Sequence, residues 1–180
     1  MRSILLTMHR FIRKRLGLLS GTDLARSLGV RFGKNCKFIN INKRTFGSEP
    51  YLIEMGDHVE LTAGVRFLPH DGSVWVFREE EPTIDLMMPI KVGSNVFIGY
   101  NTTILRGAEI GDNCIIGAGS VVSGKIPAGT VAAGIPAKVI KSIEEYRQKI
   151  DPLLIPTKGM NSKEKKTYLL KHFGIHEENH

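Results

Sequence analysis

The sequence predicts an all-β solenoid of stacked parallel coils with helical additions at both ends. Three observations carry this. The chain repeats with a period of six: from Val92 the hexads VGSNVF, IGYNTT, ILRGAE, IGDNCI, IGAGSV and VSGKIP run without a break. The first positions, Val92, Ile98, Ile104, Ile110, Ile116 and Val122, are all aliphatic, and four of the second positions are glycine. The fifth positions, Val96, Thr102, Ala108, Cys114 and Ser120, are small or slim, with Ile126 as the exception at the end. Six residues are too few for a helical repeat. They suit a short strand and a tight turn, where glycine reaches backbone angles closed to other residues. One aliphatic side chain per hexad then points inward, a slim residue sits where the chain crowds at a corner, and stacked coils bury a continuous narrow core. The same pattern stands upstream in FGKNCK and FININK at 32–43, and in MGDHVE, LTAGVR and FLPHDG at 55–72.

The elements follow in order. In residues 1–20, Leu5, Met8, Ile12, Leu16 and Leu19 recur at helical spacing, with Arg2, Arg10, Arg13 and Lys14 elsewhere on the turn. This predicts an amphipathic helix. It can pack on its own domain or a neighbouring subunit, or lie on an anionic membrane surface as a peripheral contact. A short helix is expected over Asp23–Leu28, ended by Gly29. Two inserts interrupt the hexads: a short one at 44–54, and a longer one at 73–91 that holds the sole Trp and the acidic run Glu79–Glu81. Loops on a rigid repeat often carry function. After the repeat fades near Gly134–Pro136, Ser142–Ile150 and Ser162–Phe173 read as helices joined by the irregular DPLLIPTKGMN. The resulting division is a helical segment at 1–29, a solenoid at 30–141 with its inserted loop at 73–91, and a helical extension at 142–180.

Composition narrows the classes. The 180 residues suit one domain, and 42% hydrophobic content excludes global disorder. No apolar run approaches the roughly 18 residues of a membrane span. Two cysteines, Cys36 and Cys114, make no disulfide framework, and both fall at fifth positions as small core residues. With no signal pattern, a cytoplasmic protein is expected, with the inner face of the membrane as a place for the basic helix. Charge is segregated. Residues 1–45 carry 11 Lys+Arg against one acid, 46–137 carry 5 against 11, and 138–180 carry 9 against 6. A uniformly basic nucleic-acid binder does not look like this, so no nucleic-acid partner is expected.

The hexads resemble those of the hexapeptide-repeat acyltransferases. The most specific part is IGAGSVVSGKIPAGTVAAGIPAKVIK, Ile116 to Lys141, which is similar to the last coil of the maltose, galactoside, xenobiotic and bacterial polysaccharide O-acetyltransferases. The resemblance implies a left-handed parallel β-helix, acetyl-CoA as co-substrate, no metal, a saccharide acceptor, and a homotrimer with sites between subunits. It places a catalytic His just before the loop that interrupts the hexads, where His70 stands in LPHDG. A neutral His suits removal of an acceptor proton. The adjacent Asp71 could orient the ring, as could a backbone carbonyl. On the donor side the matching positions are Tyr100 and Ala118, three hexads apart and so expected to stack, with Gly99, Gly117 and Gly119 as small neighbours. The following turn offers Ser123 and Gly124, while Lys138 and Lys141 match the basic residues that meet coenzyme phosphates. In the 73–91 loop, Trp75 and Phe77 are expected either to stack on a sugar or to anchor the loop, and Arg78 to meet an acidic acceptor.

Other members of the fold fit less well. Gamma-class carbonic anhydrases need three His ligands, and no His stands between Asp71 and Lys171. Serine acetyltransferases carry a long helical region, longer than what precedes Phe32 here. N-acetylation of an amino sugar and a non-catalytic scaffold remain as alternatives to O-acetylation.

Overall fold

In the computed structural model, which describes residues 20–176, the hexads become short strands separated by turns. The amphipathic helix expected over 1–20 lies outside the described residues except for Ser20. That serine caps helix α1 (Gly21–Leu28): its Oγ accepts from the Asp23 amide, so the helix starts at Gly21 rather than at the expected Asp23. Gly29, at φ 97°, ends it in the left-handed conformation.

The first coil carries β1 (Arg31–Phe32) and β2 (Lys37–Phe38). The second carries β3 (Ile53–Met55), β4 (Val59–Leu61) and β5 (Arg66–Leu68). The third carries β6 (Ile90–Val92), β7 (Val96–Ile98) and β8 (Thr103–Leu105). The fourth carries β9 (Glu109–Ile110), β10 (Cys114–Ile116) and β11 (Val121–Val122). A fifth opens with β12 (Lys125–Ile126) and β13 (Thr130–Gly134), and β14 (Ala137–Ser142) turns back along it. Three sheets result, in the orders β1-β3-β6-β9-β12, β2-β4-β7-β10-β13-β14 and β5-β8-β11. All pairings are parallel except β13 with β14, an antiparallel return that a parallel hexad repeat does not predict.

Register explains both the repeat and its breaks. Cys114 lies beside Val96 and Ile116 beside Ile98, so three hexads make one coil. Across the long loop Val59 still pairs with Val96, so the insert lengthens its coil without disturbing the stack. Strands β3 and β6 begin inside the expected inserts because Ile53 and Ile90 are bulky residues at fifth positions, where the pattern favours slim ones. The exception Ile126 is also resolved. It pairs with Ile110, which is less than three hexads back, so the coil shortens after Val122 and Ile126 takes a first position.

First and fifth positions both point inward, so each hexad contributes two core residues rather than the expected one. Val96 and Ile98 are buried on either side of the exposed Phe97. Slim polar fifth residues are satisfied at the corner, where Thr102 Oγ1 and Ser120 Oγ both donate to the Gly117 carbonyl at 3.1 and 2.6 Å. Cys114 is buried, and Sγ lies 3.1 Å from the Pro127 carbonyl. Successive coils also bring opposite charges together on outward positions of neighbouring strands. Arg31 and Lys37 of the basic start meet Glu54 and Glu60 of the acidic middle, and within the middle Lys125 meets Glu109. These pairs are exposed and each contributes little stability.

The described chain divides into two compact units, up to Tyr146 and from Arg147. The division falls inside helix α2 (Ile143–Ile150). The second unit holds α3 (Ser162–Phe173), started by an Asn161–Glu164 capping box and ended by Gly174. Among the described residues no helix is long and apolar enough to cross a membrane.

Second-position glycines are demanded by the stack itself. A Cβ on Gly99 would stand 2.5 Å from the Ala118 amide nitrogen, which is rigid backbone of the next coil. Gly99→Ala is therefore expected to destabilise the fold by about 1–3 kcal/mol. Gly159→Ala, where a Cβ meets open space, should stay within about 0.5 kcal/mol. Urea unfolding of the two variants checks this, and equal midpoints would contradict it.

Candidate active site

Strand β5 delivers the chain to a buried Pro69 and then to His70, where the long loop departs. The base of that loop is pinned. The Asp71 amide donates to the Leu86 carbonyl at 2.8 Å, the Met88 amide to Pro69 at 3.0 Å, and His70 bridges Met87 in antiparallel fashion. His70 is thus held at a fixed point on one corner of the solenoid. Arg106, just after β8, and Ser123, just after β11, follow at the same corner on the next two coils. Together with Leu68, Asp71 and Leu105, these residues line a cleft of about 400 Å³.

The imidazole faces a carboxylate on each side. Nδ1 lies 3.7 Å from Glu49 Oε1 and Nε2 lies 3.7 Å from Asp85 Oδ1. Nε2 is shielded from solvent and has no hydrogen-bond partner among the described residues. Asp71, expected as an orienter of the ring, is engaged elsewhere. Its Oδ1 accepts from the Ser73 amide, capping the 3₁₀ turn Gly72–Phe77, and its Oδ2 accepts from Arg106 Nε at 2.8 Å. The Ser73 backbone and side-chain hydrogen bonds, then Arg106, pull its pKa from 3.8 down to about 2. Adjacent side chains on an extended chain diverge, so Asp71 lines the cleft without being the ring's partner.

Arg78, expected at an acidic acceptor, is bound by Asp85 within its own loop. Trp75, Val76 and Phe77 are exposed, Trp75 at 76%, so they do not anchor the loop. Neither Trp75 nor Arg78 lines the His70 cleft.

Tyr100 and Ala118 stack on successive coils as expected, with the Gly119 amide donating to the Tyr100 carbonyl at 2.7 Å. They lie at a different corner, between the sheets of β7 and β8, and so apart from His70 within one chain. Gly99 and Gly117 are accounted for by stacking against Ala118 and Ala133, while Gly119 and Gly124 face open space. Ser123 lines the His70 cleft and Gly124 follows it. Lys138 is exposed on β14 beside Ala133, and Lys141 is half-buried beside Val131.

No sequence pattern points to Glu49, Asp85 or Arg106. Glu49 and Asp85 sit in the non-repeating inserts, and Arg106 occupies a third hexad position with no distinguishing pattern.

The family described as "Bacterial transferase hexapeptide (six repeats)" matches residues 89–124. Protein CapG of Staphylococcus aureus is 51% identical over 151 residues, covering 84% of this chain and 88% of its own. Galactoside O-acetyltransferase of Escherichia coli is 51% identical over 57 residues, which is 32% of this chain and 28% of that protein. Among solved structures, a galactoside acetyltransferase in complex with coenzyme A superposes with a TM-score of 0.51 at 30% identity, over 67% of this chain and 58% of its own. A hexapeptide-repeat containing acetyltransferase from Vibrio cholerae gives 0.50 at 27%, over 64% and 63%. The chain therefore spans less than two thirds of either solved structure. With these matches over a stack of hexad coils, the chain belongs to the hexapeptide-repeat acyltransferase superfamily, and its fold is the left-handed parallel β-helix of that family.

The Arg106–Asp71 pair makes a testable electrostatic statement. A depressed carboxyl pKa contributes stability that is complete above the unfolded value near 3.8 and is lost as pH falls toward about 2. Carbon-13 carboxyl titration should find Asp71 near 2 in the native protein. In Arg106→Gln its midpoint should rise, but only part of the way, because the Ser73 bonds remain. An unmoved midpoint would contradict the pairing.

Proposed function

We propose that the chain transfers an acetyl group from acetyl-CoA to a hydroxyl of a saccharide, with neutral His70 as general base. The observation that carries this is that His70, whose Nε2 has no hydrogen-bond partner among the described residues, lines one cleft with Arg106 and Ser123 where the long loop leaves the coil. The activities of relatives, galactoside O-acetyltransferase among them, support acetyl transfer and a sugar acceptor.

In this reading the acceptor oxygen attacks the thioester carbonyl as Nε2 takes its proton. The carbon–oxygen bond forms, the carbon–sulfur bond breaks, and the proton passes to the departing thiolate. Ser123, with Gly124 beside it, borders the reacting atoms. Tyr100 and Ala118 present the donor surface, and their place at another corner of the solenoid supports a donor surface brought to His70 by a neighbouring chain of a homotrimer. Lys138 and Lys141 meet the coenzyme phosphates. Trp75, exposed on the loop, stacks on the sugar, and Arg78 contributes to acceptor binding only after release from Asp85. Acetyl-CoA as donor suits a cytoplasmic site of action.

Two variants separate chemistry from donor binding. His70→Ala should lower kcat by about 10²–10⁴-fold while calorimetry finds coenzyme A bound as in wild type. Lys138→Ala/Lys141→Ala should do the reverse, weakening coenzyme A by about tenfold, or about 1.4 kcal/mol. Near-normal turnover by folded His70→Ala, or no coenzyme A binding by wild type, would overturn the proposal.

A further inference from the structure

We infer that Glu49 is the positioning residue of His70, holding the ring in the tautomer whose Nε2 carries the lone pair. The inference rests on the general-base reading of His70 and adds how that base is prepared. A neutral imidazole can accept a proton at Nε2 only when its own proton sits on Nδ1, and the group that meets Nδ1 decides this. The carboxylate facing Nδ1 is Glu49, with Oε1 at 3.7 Å.

Several observations converge on this residue. Glu49 is only 8% exposed, although a carboxylate favours water unless partners hold it. Ser48 Oγ donates to Oε2 at 2.9 Å, which leaves Oε1 directed at the ring. Asp71 is committed to Arg106 and Ser73. Asp85 approaches the other nitrogen, is much more exposed, and is held by Arg78.

The insert that supplies Glu49 is built to hold it still. Phe46 is fully buried and stacks on Phe67 with ring centroids 5.7 Å apart. Asn42 and Thr45 close a capping box over the 3₁₀ turn Lys43–Phe46. Gly47, at φ 67°, packs so closely that a Cβ there would lie 3.1 Å from the ring of Pro69, the residue before His70. The Leu52 amide donates to the Glu49 carbonyl at 3.0 Å. Glu49 and His70 are thus mounted on mutually packed backbone, as a preorganised pair requires. The gap between Nδ1 and Oε1 is longer than a formed hydrogen bond, and contacts of this kind tighten when substrate closes the site.

Histidine nitrogen-15 spectra of the full chain, with the His70 signals assigned by their loss in His70→Gln, test this directly. Wild type should carry the neutral His70 proton on Nδ1. In Glu49→Ala the balance should move toward the Nε2-protonated form, kcat should fall by about 10–100-fold, and KM for both substrates should stay within about twofold. The isosteric Glu49→Gln, which keeps an acceptor oxygen, should fall between the two and decides the matter if Glu49→Ala fails to fold. A neutral wild-type ring protonated on Nε2, or folded Glu49 variants with unchanged tautomer and kcat, would overturn the inference. Failure of the general-base reading itself is separate, since it shows as retained turnover in His70→Ala whatever the tautomer.

Discussion

Each coil must lie directly on the one below it, and this constraint governs the rest of the structure. Parallel pairing at a spacing of three hexads puts Ile98 over Ile116 and Val96 over Cys114, so like side chains stack into one narrow core. The same pairing brings backbone against backbone at the corners, which is why Gly99 tolerates no side chain. It also makes the candidate site. His70, Arg106 and Ser123 are far apart in sequence, yet they follow equivalent strands of one sheet, and stacking alone gathers them at one cleft. Chemistry is added by what interrupts the repeat. The short insert brings Glu49 to one side of the ring, and the long loop brings Asp85 to the other.

Stacking also pairs part of the unevenly spread charge. On the outer faces of the described coils, Arg31 and Lys37 of the first coil meet Glu54 and Glu60 of the second. Along the first sheet the alternation continues through Lys91, Glu109 and Lys125, and the two lysines beside Glu109 hold its pKa below the usual carboxylate value, Lys125 foremost. Charges far apart in the sequence thus interleave on the outer faces of these coils. The pairs are exposed and add little stability, so core burial holds the coils together.

Much of this is legible in the sequence because a six-residue period has few physical solutions. The inward first positions, the helix over Ser162–Phe173 and the place of His70 before the loop all follow from pattern. The misses have physical reasons as well. Ile53 and Ile90 are strand residues that resemble loop because they are bulky where slim residues prevail. Ile126 looks irregular because its coil is shorter than the others. The return strand β14 is antiparallel, and a parallel repeat carries no signal for that. Within the site, Asp71 is the carboxylate nearest in sequence, but the turn sends it to Arg106, while Glu49 arrives from the short insert upstream. Period reveals what repeats, and the partners of His70 come from segments that do not.

The two corners raise the central question. His70 and Ser123 occupy one corner of the solenoid, while Tyr100 and Ala118 occupy another, and the proposed reaction joins these corners across two chains. Subunit mixing tests this most directly. His70→Ala chains lack the base and Ala118→Trp chains have a blocked donor surface, so each homo-oligomer should be nearly inactive. Unfolding the two together and refolding them as mixed oligomers should restore activity, because some interfaces then pair an intact His70 with an intact donor corner. Mixed oligomers that form but remain as inactive as their parents would contradict a site shared between chains.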